Sequence, residues 1–287
     1  MMITAKEISV FSREFGVPAA TIDKDWVLGH FLAGIYDDPF LKENLVFKGG
    51  TCLKKCYFRG YRFSEDLDFT SRPVERTQLM SHLGSIAQAL QAQTGILFGR
   101  IRCVDKRFHE ELAAYQCTIP FWGACHPKNK PPPPEKRWTT TIKLDVTFHE
   151  ILCLEQQTRD IIHPYSDKLI HPFAVCYTIE EIISEKLRSL LQRSYSAPRD
   201  YFDLWYLTRH VTALSWPDIG RAFRKKCGHK NIVFGSADDF FDPDKLAVCQ
   251  QEWDRSLRHH LNDIPEFGSV LMDLKKLVAE KNGQGVF

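Results

Sequence analysis

No run of about 18 apolar residues occurs in this 287-residue chain, which leaves no candidate for a membrane-spanning helix. No CxxC pair occurs among the nine cysteines, so the usual close-paired ligands of a structural zinc site are missing. The cysteine count is odd, and the opening MMITAKEISVFSREFG carries charges without an apolar signal-peptide core. A secreted disulfide framework is therefore not expected, and the thiols read as reduced ones in a cytoplasm. Cys125 and His126 are adjacent but lie beside a proline-rich stretch with no partner motif. A strong excess of either charge is also missing: the net charge of +2 neither requires nor excludes a nucleic-acid partner. There is no internal repeat, and low complexity is confined to HPKNKPPPPEKR, whose four consecutive prolines suit a surface loop.

What is present has the proportions of a folded protein: 44% hydrophobic and 26% charged residues. At roughly 100–200 residues per domain the length fits two. Residues 5–34 read as helical, with a break near Gly16-Val17-Pro18. LVFK (45–48) reads as a short strand running into Gly49-Gly50, followed by a helix from Thr51 to about Phe58. DLDFT (66–70) reads as a strand, residues 76–95 as an amphipathic helix, and ILFGRIRCV and AAYQCTIPF as further strand pieces. WTTTIKLDVTF (138–148) alternates polar and apolar, a strand with one wet face. From Thr178, where Thr178-Ile179-Glu180-Glu181 has the form of a capping box, the pattern turns helical, with further helices near 199–210, 217–227, 244–262 and 268–281. The expected class is α+β: a mixed-sheet domain over 1–165 and a mainly helical one over 166–287.

Strand side chains alternate faces, so Asp66 and Asp68 share one face of DLDFT while Leu67 and Phe69 share the other. Two like charges so close repel, and a divalent cation relieves this; magnesium takes such hard oxygen ligands and bridges to phosphates. In TTIKLDVTF, Asp145 lies on the polar face with Thr141, Lys143 and Thr147. Were the two strands neighbours, three carboxylates would converge, as a two-metal phosphoryl-transfer site requires. Gly49-Gly50-Thr51, between strand and helix, lets a phosphate approach the backbone. A D-x-D pair alone is commonly a solvated strand face; joined to this turn it is a much rarer combination.

GGT, then fourteen residues, then DxD, with a third Asp on a later strand, resembles the nucleotidyltransferase superfamily of DNA polymerase β. The fuller string FKGGT…RFSEDLDF looks like its AbiEii/AbiGii toxin branch, similar also to the mycobacterial Men toxins. The spacer is long for the wider superfamily but suits this branch. The likeness includes Asp23-Lys24-Asp25 and is strong over residues 20–70, moderate over 140–207, and general in the helical tail. It implies a polymerase-β-like core and a helical lobe completing a cleft. It implies Mg²⁺ (or Mn²⁺) on Asp66, Asp68 and Asp145, an NTP as substrate held by Lys48, Gly49, Gly50 and Thr51, and a cognate antitoxin in a bacterial cytoplasm. Ser64, two residues before Asp66, stands where the related toxins can be modified by a partner; its plain reading is a strand-entry turn serine.

In the helix after Thr178, Ile179, Ile182, Ile183, Leu187 and Leu190 form an apolar stripe, and Lys186 falls inside it, with Arg193 near its edge. A cation there must be paired, face a wet cleft, or snorkel. The resemblance implies that Lys186 helps hold the nucleotide. In PRDYFDL, Asp200 and Asp203 share a helix face. Asp200 also offsets the helix dipole. The family's RDxxDL pattern implies an active-site role for one of the two, Asp203 being favoured.

Arg221, Arg224, Lys225, Lys226, His229 and Lys230 form the densest basic run; Arg255, Arg258, His259 and His260, and the loop cations Lys128, Lys130, Lys136 and Arg137, add to it. Such groups give sequence-independent phosphate affinity, although a solvated helix face has the same composition. The family implies an RNA acceptor, the 3′ end of a tRNA, whose alteration would block charging. The expected protein is thus an NTP-dependent nucleotidyltransferase toxin. Transfer to a protein or small molecule, γ-phosphoryl transfer, and an inactive nucleotide-binding protein are the alternatives.

Overall fold

A computed structural model describes residues 3–108, 110–125, 131–193 and 197–287. His126, Lys128 and Lys130 lie outside the described residues.

Helix α1 (Ala5–Phe15) begins where the Thr4 hydroxyl accepts from Glu7 N and ends at Gly16, whose φ of 64° turns the chain. α2 (Ala19–Asp37) is buried on nearly every side, as its uninterrupted WVLGHFLAGIY demands. α3 (Pro39–Asn44) leads into β1 (Leu45–Lys48). The glycines open a short helical turn, α4 (Gly49–Cys52), which continues as a π turn over Leu53–Tyr57. Then come β2 (Asp66–Ser71), α5 (Arg76–Thr94), β3 (Leu97–Phe98), β4 (Arg102–Phe108), β5 (Glu111–Trp122), β6 (Thr141–Thr147), β7 (Gln157–Asp160) and β8 (Phe173–Cys176).

Among the described residues the strands form one sheet in the order β3-β5-β6-β2-β1-β8-β7, with β4 also on β5. It is mixed: β2–β6 and β1–β8 are parallel, and the other pairs antiparallel. One face is fully buried through Phe47, Leu67, Phe69, Leu144, Val146 and Ile119, and α2 packs on β6 and β8. Truncating a ring such as Phe69 to Ala would cost about 3–5 kcal/mol. The other face is the open one. β8 extends the sheet past residue 165, and β7 (QTRD) and β8 (FAVC) are too short to show an alternation.

The chain divides into two compact units, Met1–His149 with Gln156–Cys176 and His260–Asn262, and Glu150–Glu155 with Tyr177–His259 and Asp263–Phe287. The second is helical: α6 (Ile179–Gln192), α7 (Pro198–His210), α8 (Trp216–His229), α9 (Pro243–Leu257) and α10 (Phe267–Gly283). α6 packs on α7 and α8, and α7 on α9 and α10. The α6 stripe of Ile182, Ile183, Leu187 and Leu190 is buried.

Three expectations are corrected. The capping box is half formed: the Thr178 hydroxyl accepts from Glu181 N (3.2 Å), but the Glu181 carboxylate accepts from Leu154 N (2.8 Å) and pairs with Lys226 (2.6 Å). Lys226 is therefore no surface cation; it is fully buried and also donates to the Ile151 carbonyl (2.7 Å). Within the same basic run Arg224 donates to the Val286 carbonyl and Arg221 pairs with Asp218, while His260 of the second cluster is buried. Amphipathic spacing puts one residue in each turn of α8 inside, and here that residue is a lysine. Finally, Cys103 and Cys117 face each other across β4 and β5 and are joined in a disulfide, so not all the thiols are reduced.

Candidate active site

The register of the sheet builds the site. β2 and β6 run parallel with Asp68 opposite Asp145 and Asp66 opposite Lys143. Leu67, Phe69, Leu144 and Val146 turn into the core, so all three acids stand on the open face, each half-buried. Lys48 lies opposite Asp68 on β1, and Gln116 opposite Asp145 on β5. One transverse row therefore reads Lys48, Asp68, Asp145, Gln116, with Val104 of β4 at its end. Burial pushes the Asp145 carboxyl up; a hydrogen bond from Gln116 opposes this, the Asp66 charge adds to it, and Lys143 and Lys106 oppose it.

Two observations fit this acid cluster to a cation. Asp66 Oδ1 is buried without a hydrogen-bond partner among the described residues. Such an orphaned carboxylate oxygen is costly unless a cation or water meets it. The donors are all hard oxygens, which suits Mg²⁺ or Mn²⁺.

The glycine turn is shaped by these acids. Gly49 has φ 79°, and a Cβ there would lie 2.5 Å from Asp68 Oδ2, so only glycine fits. A Cβ at Gly50 would lie 2.8 Å from Arg62 Nη2 and 3.2 Å from Ser64 Oγ. The structure thus gathers Ser64 and Arg62 at the turn. Thr51 is fully buried, and its hydroxyl donates to the Asp66 carbonyl (2.5 Å). It ties the turn to β2 and does not offer its hydroxyl to a ligand.

Arg62 was not among the sequence candidates. It is buried, with its guanidinium 5.4 Å from the Tyr61 ring and Nη1 donating to the Phe63 carbonyl (3.2 Å). A cation inside the apolar-aromatic RGYRF was the available signal. Gln116 and the edge-strand cations Arg102 and Lys106 were missed as well, because only pairing places them on the acids' face; Lys143 shares Asp145's face by alternation alone but was not taken as a site residue. Thr118 lies opposite both Lys143 and Arg102, continuing a second row outward from Asp66.

The upstream Asp23-Lys24-Asp25 anchors α2. Asp25 takes Lys55 Nζ at 2.6 Å and the Tyr165 hydroxyl at 2.8 Å. Asp23 accepts from Ala124 N (2.8 Å), yet burial pushes its carboxyl up to about 6.

In the helical unit the anomalous Lys186 is paired. Its Nζ lies 2.6 Å from Asp203 Oδ2 and 2.9 Å from Asp200 Oδ1, and Arg193 Nη1 lies 2.5 Å from Asp200 Oδ2. Asp203 is wholly buried. Both acids of the RDxxDL segment meet one lysine, so Asp200 does more than offset a helix dipole.

A strand, a Gly-Gly turn and acids on two adjacent parallel strands define a nucleotidyltransferase fold. The chain belongs to the AbiEii nucleotidyl transferase toxin family of type IV toxin–antitoxin systems, whose model matches residues 30–274. Its fold is similar to that of the MenT4 nucleotidyltransferase toxin Rv2826c from Mycobacterium tuberculosis H37Rv, with a TM-score of 0.65 and 17% identity over 96% of this chain and 90% of that one. No curated protein matches the sequence. The protein is therefore a nucleotidyltransferase toxin of a type IV toxin–antitoxin system, a class that implies an NTP substrate, a divalent metal and an antitoxin partner. No helix among the described residues is long and apolar enough to cross a membrane.

Proposed function

We propose that the protein transfers nucleotide from an NTP to an RNA 3′ end, that of the tRNA acceptor stem, and so blocks translation. The observation that carries this reading is the convergence of Asp66, Asp68 and Asp145 on one open sheet face beside the Gly49-Gly50 turn. Asp66, Asp68 and Asp145 would hold Mg²⁺ or Mn²⁺, which supplies charge neutralisation at the triphosphate and activation of the attacking hydroxyl. The N–H groups of the Gly49-Gly50 turn contribute to holding phosphate, with Lys48 and Arg62 as neighbouring cations. In the helical unit Lys186, steadied by Asp200 and Asp203, contributes to holding the nucleotide, with Arg193 beside it. The RNA hydroxyl attacks the α-phosphorus, and the bond to pyrophosphate breaks.

The open face supports an extended polyanionic acceptor. It runs outward from the acids through Gln116 and Thr118 to Arg102 and Lys106 on β4, three strand spacings or about 15 Å from β2. That span suits the last few nucleotides of a single strand. Ser64 Oγ borders Gly50, so a phosphate placed on Ser64 would compete with a triphosphate at the turn, and this is our reading of how an antitoxin enzyme could silence the toxin.

The test is incubation of the pure chain with each labelled NTP, Mg²⁺ and total RNA. Labelled tRNA with wild type and none with Asp66→Ala supports the reading. Label on protein or small molecules instead replaces the acceptor, and no transfer at all overturns the enzymatic assignment of these residues.

A further inference from the structure

A second cluster of ligating side chains lies outside the acid site. Cys52 and Cys56 are one helical turn apart on the segment that follows the glycines, and Cys176 ends β8, where it is held by the pairing of β8 with β1. All three are buried, and their sulfurs lie within 4.8 Å of one another. Four other cysteines with free thiols (125, 153, 227 and 249) belong to no such group among the described residues. Burial alone is ordinary for cysteine. Convergence of three thiols from two distant segments is not.

We propose that Cys52, Cys56 and Cys176 form a three-sulfur site for a soft monovalent cation of the Cu(I) class. Metal–sulfur bonds of about 2.3 Å require sulfurs about 3.8–4.0 Å apart, so the observed triangle needs to contract by less than about 1 Å. Soft thiolates select Cu(I) and zinc over hard cations, and a structural zinc ion takes four ligands. Among the described residues the group holds no fourth cysteine, histidine or carboxylate, which favours a three-coordinate ion. Binding releases thiol protons to solvent. Arg159 is a neighbouring cation that offsets part of the negative charge left on the sulfurs: its Nε donates to the Cys56 carbonyl (2.8 Å) and its guanidinium lies 4.3 Å from the Tyr57 ring. The Tyr57 hydroxyl is itself 3.8 Å from Cys176 Sγ. Cys52 directly follows Thr51, so an ion here ties the glycine turn to the end of β8.

The full chain is titrated anaerobically with Cu(I) presented as its bicinchoninate complex, and colour loss reads uptake. X-ray absorption then counts the ligands. We expect one ion per chain with three sulfur neighbours, uptake at least 100-fold weaker in Cys176→Ser, and wild-type uptake in Cys227→Ser. Circular dichroism checks folding, and Cys56→Ala replaces Cys176→Ser if that variant does not fold. No retained ion, a shell containing nitrogen or oxygen, preferential uptake of Zn²⁺ in a parallel titration, or equal loss in Cys227→Ser overturns the proposal.

Discussion

Asp68 and Asp145 stand directly opposite each other across the parallel pair β2 and β6. Nothing in their own strands requires this; register alone makes the two acids a pair. Asp145→Asn should therefore separate activity from stability. Transfer should fall about 10²–10³-fold, the several kcal/mol a positioned metal provides. The melting temperature should hold or rise, because Asp145 is penalised by burial and by Asp66. Rate assays and thermal melts on the same sample check this, and a variant that melts early would mark Asp145 as structural.

Gly49→Ala tests the turn. The added Cβ meets Asp68 Oδ2 and the backbone is at φ 79°. We expect about 1–3 kcal/mol of destabilisation by denaturant titration, with loss of transfer. Thr51→Val, which removes the hydroxyl bonded to the Asp66 carbonyl, should lose stability by about 1 kcal/mol and activity only in part.

Lys186→Met removes the cation from buried Asp203. The uncompensated charge should cost about 3–5 kcal/mol, and adding Asp203→Asn should restore much of it. NTP affinity should stay low in that double variant. Recovered NTP binding would show that Lys186 serves packing and pairing alone.

Asp23 sets a pH dependence with a definite sign. Its folded value of about 6 exceeds the ordinary aspartate value of 3.8, so the folded state holds its proton more tightly. Stability from this group is present at pH below about 4 and is lost as pH rises through 6. Asp23→Asn should thus stabilise the protein at pH 7–8, by at most about 3 kcal/mol, and the gain should vanish near pH 4. Denaturant melts across this range decide it, and a gain that grows on acidification would contradict the assignment.

Arg102→Ala with Lys106→Ala should weaken RNA transfer while leaving NTP binding intact. The log–log salt dependence of RNA affinity should lose about 1.4 in slope, about 0.7 for each phosphate contact with a single strand. An unchanged slope would remove β4 from the acceptor path.

The parts whose logic is local were legible in the residues alone. Alternation in DLDFT and TTIKLDVTF put Asp66, Asp68 and Asp145 on wet faces, because strand side chains alternate whatever lies beside them. Helical period singled out Lys186 as a cation among Ile183, Leu187 and Leu190. Which residues meet depended on the packed fold. Strand order and register set Asp68 against Asp145 and brought in Gln116, Arg102 and Lys106. A buried carboxylate drew Lys226 out of what composition shows as a basic surface, and Asp203 and Asp200 gave Lys186 its partners. Charge placement of that kind depends on desolvation and on partners far along the chain, and neither is written in a local pattern.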